Sequence, residues 1–278
     1  MFISGDSAYF QYCHRRVEIP LKIDFHLHDR FEIYFFISGD VHYLVEKNVY
    51  PLQYGDLLIM NSRELHKPTF RSDAPYENIV VHFDPTVATA LASLSAYPLL
   101  DCFVNRPQGE GSRIALSLAQ REEALALFRK TDDLLAAGRS GSDLLLTLWM
   151  TELLVVVNRA FRENLAPHAA GGHGLHDKLA PVLEYIDRHL EQDLTLESLE
   201  GHFYTNRYYL SRLFRRHTGS SIHEYILLKR VALAKKLLKE GCNVTEACQR
   251  SGFNDYSHFI RMFKKLVGLP PGQYARGR

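Results

Sequence analysis

The sequence is poor in several features. Its 4 cysteines, Cys13, Cys102, Cys242 and Cys248, are scattered along 278 residues and form no C-x-x-C pair. That excludes a disulfide-dense secreted scaffold and fits a reducing cytosol. Net charge is nearly absent, +1 at pH 7, which by itself discourages a nucleic-acid partner. There is no low-complexity tract and no short-period repeat array. Met1 to Tyr12 carries Asp6 and no sustained apolar stretch, so no secretory signal is expected. No window reads as approaching the ~18 apolar residues of a membrane span. The expectation is a cytoplasmic protein with no membrane partner.

What is present is ordinary in bulk and uneven in distribution. A hydrophobic content of 46% with 23% charged residues argues for an ordered globular chain, and 278 residues suggest two domains. Residues 1–170 hold 16 Lys and Arg against 21 Asp and Glu, whereas 171–278 hold 17 against 11. From His202 to Arg278 the count is 15 against 4, on a segment with helix signals, which suits a phosphate-facing surface. A solvated basic face is the plain alternative.

From Arg16 to Pro85 the chain reads as short β-rich runs: Glu32 to Ile37, Val41 to Val45, Leu57 to Met60, and Asn78 to Phe83. Ser38-Gly39-Asp40, Glu46-Lys47-Asn48 and Tyr54-Gly55-Asp56 are the turns between them, so a small barrel or sandwich is expected. Ala115 to Leu135 and Ser142 to Phe161 read as two helices forming an antiparallel pair. The second is apolar almost all round and must be covered, either by the barrel or by a second subunit. Pro167 to Gly174 is glycine-rich and lacks large apolar residues, which marks a linker. The expected domains are 1–165, a linker at 166–176, and 177–278.

In the last hundred residues Leu179, Val182, Leu183, Ile186 and Leu190 form one helical stripe. Thr195 and Asn206 fit N-caps, Gly219 a helix C-terminus, and a long amphipathic helix starts near Ile222. The pattern then repeats: a short helix from Thr245 to Arg250, a turn at Ser251-Gly252-Phe253-Asn254, and a helix capped by Asp255 and stopped at Gly268 and Pro270-Pro271.

Leu210-Ser211-Arg212-Leu213-Phe214-Arg215-Arg216, Gly252-Phe253, Phe259 and Phe263-Lys264-Lys265, with Pro270-Pro271 and Tyr274, resemble the DNA-binding domain of the AraC/XylS family of transcription regulators. The resemblance implies two helix-turn-helix units, the second helix of each entering a major groove, the grooves lying about one turn (~34 Å) apart. It carries base-edge contacts onto Tyr208, Ser211 and Arg212, and onto Tyr256, Ser257, His258 and Arg261. Arg207 belongs to the same outer face, and Arg215, Lys264 and Lys265 suit phosphates. Glu200 and Cys248 stand where the family usually has Ala, and a long acidic side chain at 200 is expected to loosen the first unit.

Phe25-His26-Leu27-His28-Asp29-Arg30-Phe31-Glu32, with Gly39 beyond it, resembles the first cupin motif. Gly55-Asp56-Leu57-Leu58-Ile59-Met60 with His66 resembles the second, although Asn61-Ser62-Arg63 replaces its usual Pro-x-Gly turn. The fold class implied is multidomain α+β: an N-terminal cupin-like β-barrel with a helical pair and a C-terminal all-α double helix-turn-helix domain. His26, His28, Glu32 and His66 are the residue types of a cupin metal site, suited to a divalent ion such as Zn, Fe, Ni or Mn. The same four, with Tyr43 and His82, are also candidates for contacting a small-molecule effector such as a sugar, and both readings are open at this point. The reading as a whole is a ligand-responsive regulator of promoter DNA, no enzyme, acting as a homodimer. The competing reading is a metal-dependent cupin enzyme with an appended DNA-binding module.

Overall fold

The computed structural model describes residues 2–20, 23, 25, 26, 28–62, 64–107, 109–164, 173, 174, 179–218 and 220–276. The chain divides into two compact units, one of Met1–Ile23, Asp29–Glu64 and Pro68–His173, the other of Asp24–His28, Leu65–Lys67 and Gly174–Arg278.

The strands are β1 (Phe2–Asp6), β2 (Phe10–Val17), β3 (Phe31–Ser38), β4 (Val41–Val45), β5 (Asn48–Pro51), β6 (Leu57–Met60), β7 (His66–Phe70), β8 (Tyr76–Phe83), β9 (Arg113–Ile114) and β10 (His173–Gly174), and all but the start of β7 and the end of β10 lie in the first unit. Six strands pair in the order β1-β2-β8-β3-β6-β9 and four in the order β10-β5-β4-β7. The alternation of side chains along a strand explains how the larger sheet is buried on both faces. Phe31, Ile33 and Phe35 of β3, Leu57 and Ile59 of β6, and Ile79, Val81 and Phe83 of β8 face one core. Tyr34, Phe36, Leu58, Met60 and Val80 face the other, where they meet Val41, Tyr43 and Val45 of the smaller sheet. This is the cupin-like β-rich architecture expected. The turns expected after β3, after β4 and before β6 are present, with Gly39 and Gly55 in the positive-φ backbone that glycine tolerates.

Two short helices, α1 (Thr86–Leu91) and α2 (Asp101–Val104), lead to the helical pair α3 (Leu118–Ala137) and α4 (Ser142–Asn164). Ser117 caps α3 by accepting from the Gln120 N–H. Leu127 and Phe128 of α3 and Leu146, Met150, Leu153, Leu154 and Val157 of α4 cover the outer face of the larger sheet. Two expectations need correction here. β1 and β2 add strand upstream of the first β-rich run, and β5 and β7 fall between the runs that the pattern marks. The span from Ser142 to Glu163 is also long and apolar enough to cross a membrane by length and composition, but half of it is buried against this core.

The second unit holds α5 (Ala180–Arg188), α6 (Leu196–Phe203), α7 (Arg207–Thr218), α8 (Ile222–Lys239), α9 (Val244–Arg250), α10 (Tyr256–Val267) and α11 (Pro271–Arg276). The stripe Leu179, Val182, Leu183, Ile186 and Leu190 is buried as its spacing predicts. Thr195 and Ser198 form a reciprocal cap on α6, and Asn243 with Glu246 does the same for α9, whose start falls one residue before the Thr245 expected. Val231, Leu237 and Leu238 of α8 close a core with Ala247, Cys248, Phe253, Phe259 and Phe263. Apart from His173 and Gly174, the expected linker at 166–176 lies outside the described residues, as does Gly219.

Candidate functional site

Each helix-turn-helix pair, α6–α7 and α9–α10, is assembled by caps that use small polar side chains at the turn. At the first, Asn206 Oδ1 accepts from the Tyr208 and Tyr209 backbone N–H groups at 2.9 and 3.3 Å. Glu200 Oε1 accepts from the Arg207 N–H at 3.2 Å. The acidic residue expected to loosen this unit therefore satisfies an open donor at the head of α7 instead, a favourable place for negative charge. At the second, Asp255 Oδ1 accepts from the His258 N–H at 2.8 Å, which holds its carboxyl below the ordinary carboxylate range.

With Leu210, Leu213 and Phe214 turned into the core, α7 exposes Tyr208, Arg212 and Arg215, with Ser211 and Arg207 half-buried. With Phe259 and Phe263 inward, α10 exposes Tyr256, Ser257, Arg261, Lys264 and Lys265, with His258 half-buried beside Phe253. Arg207 differs from the others. Its guanidinium is paired with Glu197, lies 4.0 Å from Glu200 and sits 5.2 Å over the Tyr208 ring. It ties α6 to α7 within the motif.

Three exposed residues escape the sequence reading. Tyr209 and Arg216 line a groove with Arg212 and Arg215, and the spacing Tyr209, Arg212, Arg216 is a helical stripe that could have flagged them. Tyr204 is 96% exposed in the left-handed turn after α6, a place with no periodic signal to find it.

His26 and His66, both in the second unit, are joined by a backbone bridge, the His26 N–H donating to the His66 carbonyl at 3.2 Å. Their rings lie 4.4 Å apart, and that of His28 lies 5.0 Å from His66 and 6.0 Å from His26. His26, His28 and His66 belong to the second unit, and Glu32 lies on β3 of the first. Of the four residues chosen from the motifs, the three histidines are thus brought together within one unit.

Tyr43 and His82 both reach Glu32. Glu32 and His82 are direct cross-strand partners on β3 and β8. His82 Nε2 stands 3.0 Å from Glu32 Oε2, and the Tyr43 hydroxyl donates to Oε1 at 3.3 Å. Burial pushes the Tyr43 phenol well above its usual range, so it remains a donor. Both residues hold the buried Glu32 carboxylate in place. Three clustered imidazoles suit a divalent transition ion better than Ca2+ or Mg2+, which take oxygen ligands.

Comparison with known proteins gives two family matches: an AraC-like ligand binding domain over residues 14–154 and a helix-turn-helix domain over residues 201–277. The regulatory protein PocR of Salmonella typhimurium is 30% identical over 122 residues, covering 43% of this chain and 40% of PocR. The transcriptional activator Btr of Bacillus subtilis is 24% identical over 253 residues, covering 91% of this chain and 45% of Btr. The chain thus spans less than half the length of either relative. Among solved structures, the DNA-binding domain of AdpA in complex with a target DNA matches with a TM-score of 0.35 and 29% identity, over 36% of this chain and 92% of that one. A ligand-free single-site variant of ToxT from Vibrio cholerae matches with a TM-score of 0.41 and 13% identity, over 98% of each chain.

Proposed function

The chain belongs to the AraC/XylS family of transcription regulators, and from that premise we propose that it is a ligand-responsive regulator that binds promoter DNA in a sequence-specific way. The observation that carries this reading is the pair of outer faces on α7 and α10. Each is the second helix of a capped helix-turn-helix, and each turns Arg and small polar or aromatic side chains outward while its apolar residues are buried. Arg212 and Arg261 address base edges, with Tyr208, Ser211, Tyr256, Ser257 and His258 beside them; Arg215, Lys264 and Lys265 meet phosphates and set register. The β-rich domain takes the effector, and the effector acts by binding two arrangements of the protein with different affinity. A homodimer belongs to this reading, with Leu144 and Leu148, exposed on α4, as its surface. The matched domains favour a regulator over a metal-dependent enzyme.

The test uses the purified chain on a site chosen from random-sequence DNA. Arg212→Ala and Arg261→Ala should each relax preference at one position, a different one for each, at a cost of ~1–3 kcal/mol there. Equal weakening on every sequence would make both phosphate contacts and remove the base-reading role.

A further inference from the structure

We propose that the surface groove on one side of α7, lined by Tyr209, Arg212, Leu213, Arg215 and Arg216, seats the sugar-phosphate backbone of one DNA strand. Arg216 and Tyr209 are then positioning residues, which set the register of α7 on the duplex without reading its sequence. This rests on the regulator reading above and names the side of the first reading helix that meets a strand.

Helix period decides the side. Each residue turns the helix by about 100°, so Tyr209, Arg212, Leu213 and Arg216 form one stripe, while Ser211 lies on the opposite flank and Tyr208 between the two. A helix laid in a major groove has a strand on either side of the line that faces the bases. With Tyr208 and Arg212 on that line, the stripe through Tyr209 and Arg216 looks at one strand. The second unit repeats the arrangement: Lys264-Lys265 follow the buried Phe263 of α10 as Arg215-Arg216 follow the buried Phe214 of α7.

The charges point the same way. Arg212 stands at i−3 and i−4 to Arg215 and Arg216, spacings at which like charges repel. Elsewhere in this unit Arg188 pairs with Glu184, Arg207 with Glu197, and Arg230 with the carbonyls of Leu190 and Gln192. Among the described residues no carboxylate pairs with Arg212, Arg215 or Arg216, and all three are exposed. The dipole of α7 favours cations in its last turn, which accounts for Arg215 and Arg216 as charges but not for Arg212 or for the apolar residues between them. A simple anion would need the guanidiniums alone. The buried Leu213 and the Tyr209 ring add apolar surface, and a DNA strand presents phosphate and deoxyribose in turn. Continuity with the base-reading line favours DNA over an acidic peptide, which would displace the duplex from the same helix.

The full-length chain is titrated across a salt series onto two duplexes, one carrying the site selected from random-sequence DNA and one with that site scrambled. Arg216→Ala should weaken both by the same factor and reduce the slope of log affinity against log salt by about 1, as the loss of one phosphate contact requires. Arg216→Lys keeps the charge and should keep the slope. Arg216→Gln, which keeps the length of the side chain, repeats the first measurement if Arg216→Ala unfolds. Tyr209→Ala removes no charge and should weaken both duplexes with the slope unchanged. Tyr209→Phe should bind as the wild type does, because the ring rather than the hydroxyl packs on the sugar.

An unchanged salt slope in folded Arg216→Ala or Arg216→Gln, or weakening confined to the selected site, overturns the backbone role while leaving the regulator reading intact. Undiminished binding by Tyr209→Ala removes Tyr209 from it. A wild-type chain that binds both duplexes equally contradicts the regulator reading, and the salt slope then still decides the groove by itself. Wild-type protein that binds neither duplex overturns both.

Discussion

His14 of β2 stands between two carboxylates, Asp132 Oδ2 of α3 at 2.7 Å and Glu77 Oε1 of β8 at 3.1 Å, and the Tyr12 hydroxyl donates to the other Asp132 oxygen at 2.8 Å. Burial opposes the charged imidazolium, but the hydrogen bonds and charges of Asp132 and Glu77 outweigh it, and the His14 pKa is raised. Arg16, 3.6 Å from Glu77, is a further charge at this cluster. A folded pKa above the unfolded value of about 6.5 means the stabilisation is complete below that pH and is lost as pH rises through the raised value. Melting temperature should therefore fall between neutral and mildly alkaline pH, and His14→Gln should flatten that slope. A wild-type profile with the same slope as the variant would show the cluster to be indifferent to protonation. Single residues also mark how far the sequence can be read. Glu32 is legible from its motif, whereas the jobs of Tyr43 and His82 depend on which strand lies beside which, and nothing local encodes that pairing. Glu200 resists reading for the same reason: its partner, the Arg207 N–H, is seven residues away across a turn.

At the scale of elements, the helices are easier to foresee than the strands. α10 buries Phe259 and Phe263 at i and i+4 and carries a capping Asp, so its stripe and its start are both written locally. β1 and β2 mix polar and aromatic residues, and β5 (Asn-Val-Tyr-Pro) and β7 (His-Lys-Pro-Thr-Phe) interrupt their apolar residues with polar ones and proline, so no apolar run marks them as Leu57–Met60 marks β6. Strand pairing supplies what local pattern cannot. The turn of the second helix-turn-helix is the most demanding element. Gly252 has φ +83, and a Cβ there would fall 1.9 Å from the Leu190 carbonyl oxygen. Arg230 Nε donates to that same oxygen at 3.0 Å and would itself lie 2.8 Å from the added Cβ, so the methyl would meet both the carbonyl and its donor. Gly252→Ala should lower stability by more than the about 1–2 kcal/mol of left-handed backbone cost alone. A denaturant titration that finds no loss would mean the turn is looser than this packing implies.

For the whole molecule, bulk charge is the misleading quantity and its distribution the informative one. A net of +1 conceals a C-terminal stretch with 15 basic residues against 4 acidic, and it is on this stretch that α7 and α10 expose Arg212, Arg215, Arg261, Lys264 and Lys265. The order of a β-rich domain before a helical one is legible because turn chemistry and period change along the chain. The most direct measurement is selection of bound duplexes from a random-sequence pool by the purified full-length chain. The account predicts enrichment of a site with two preferred segments about one helical turn, ~10 base pairs, apart, one lost with Arg212→Ala and the other with Arg261→Ala. Recovery of no sequence above bulk competitor DNA would contradict it.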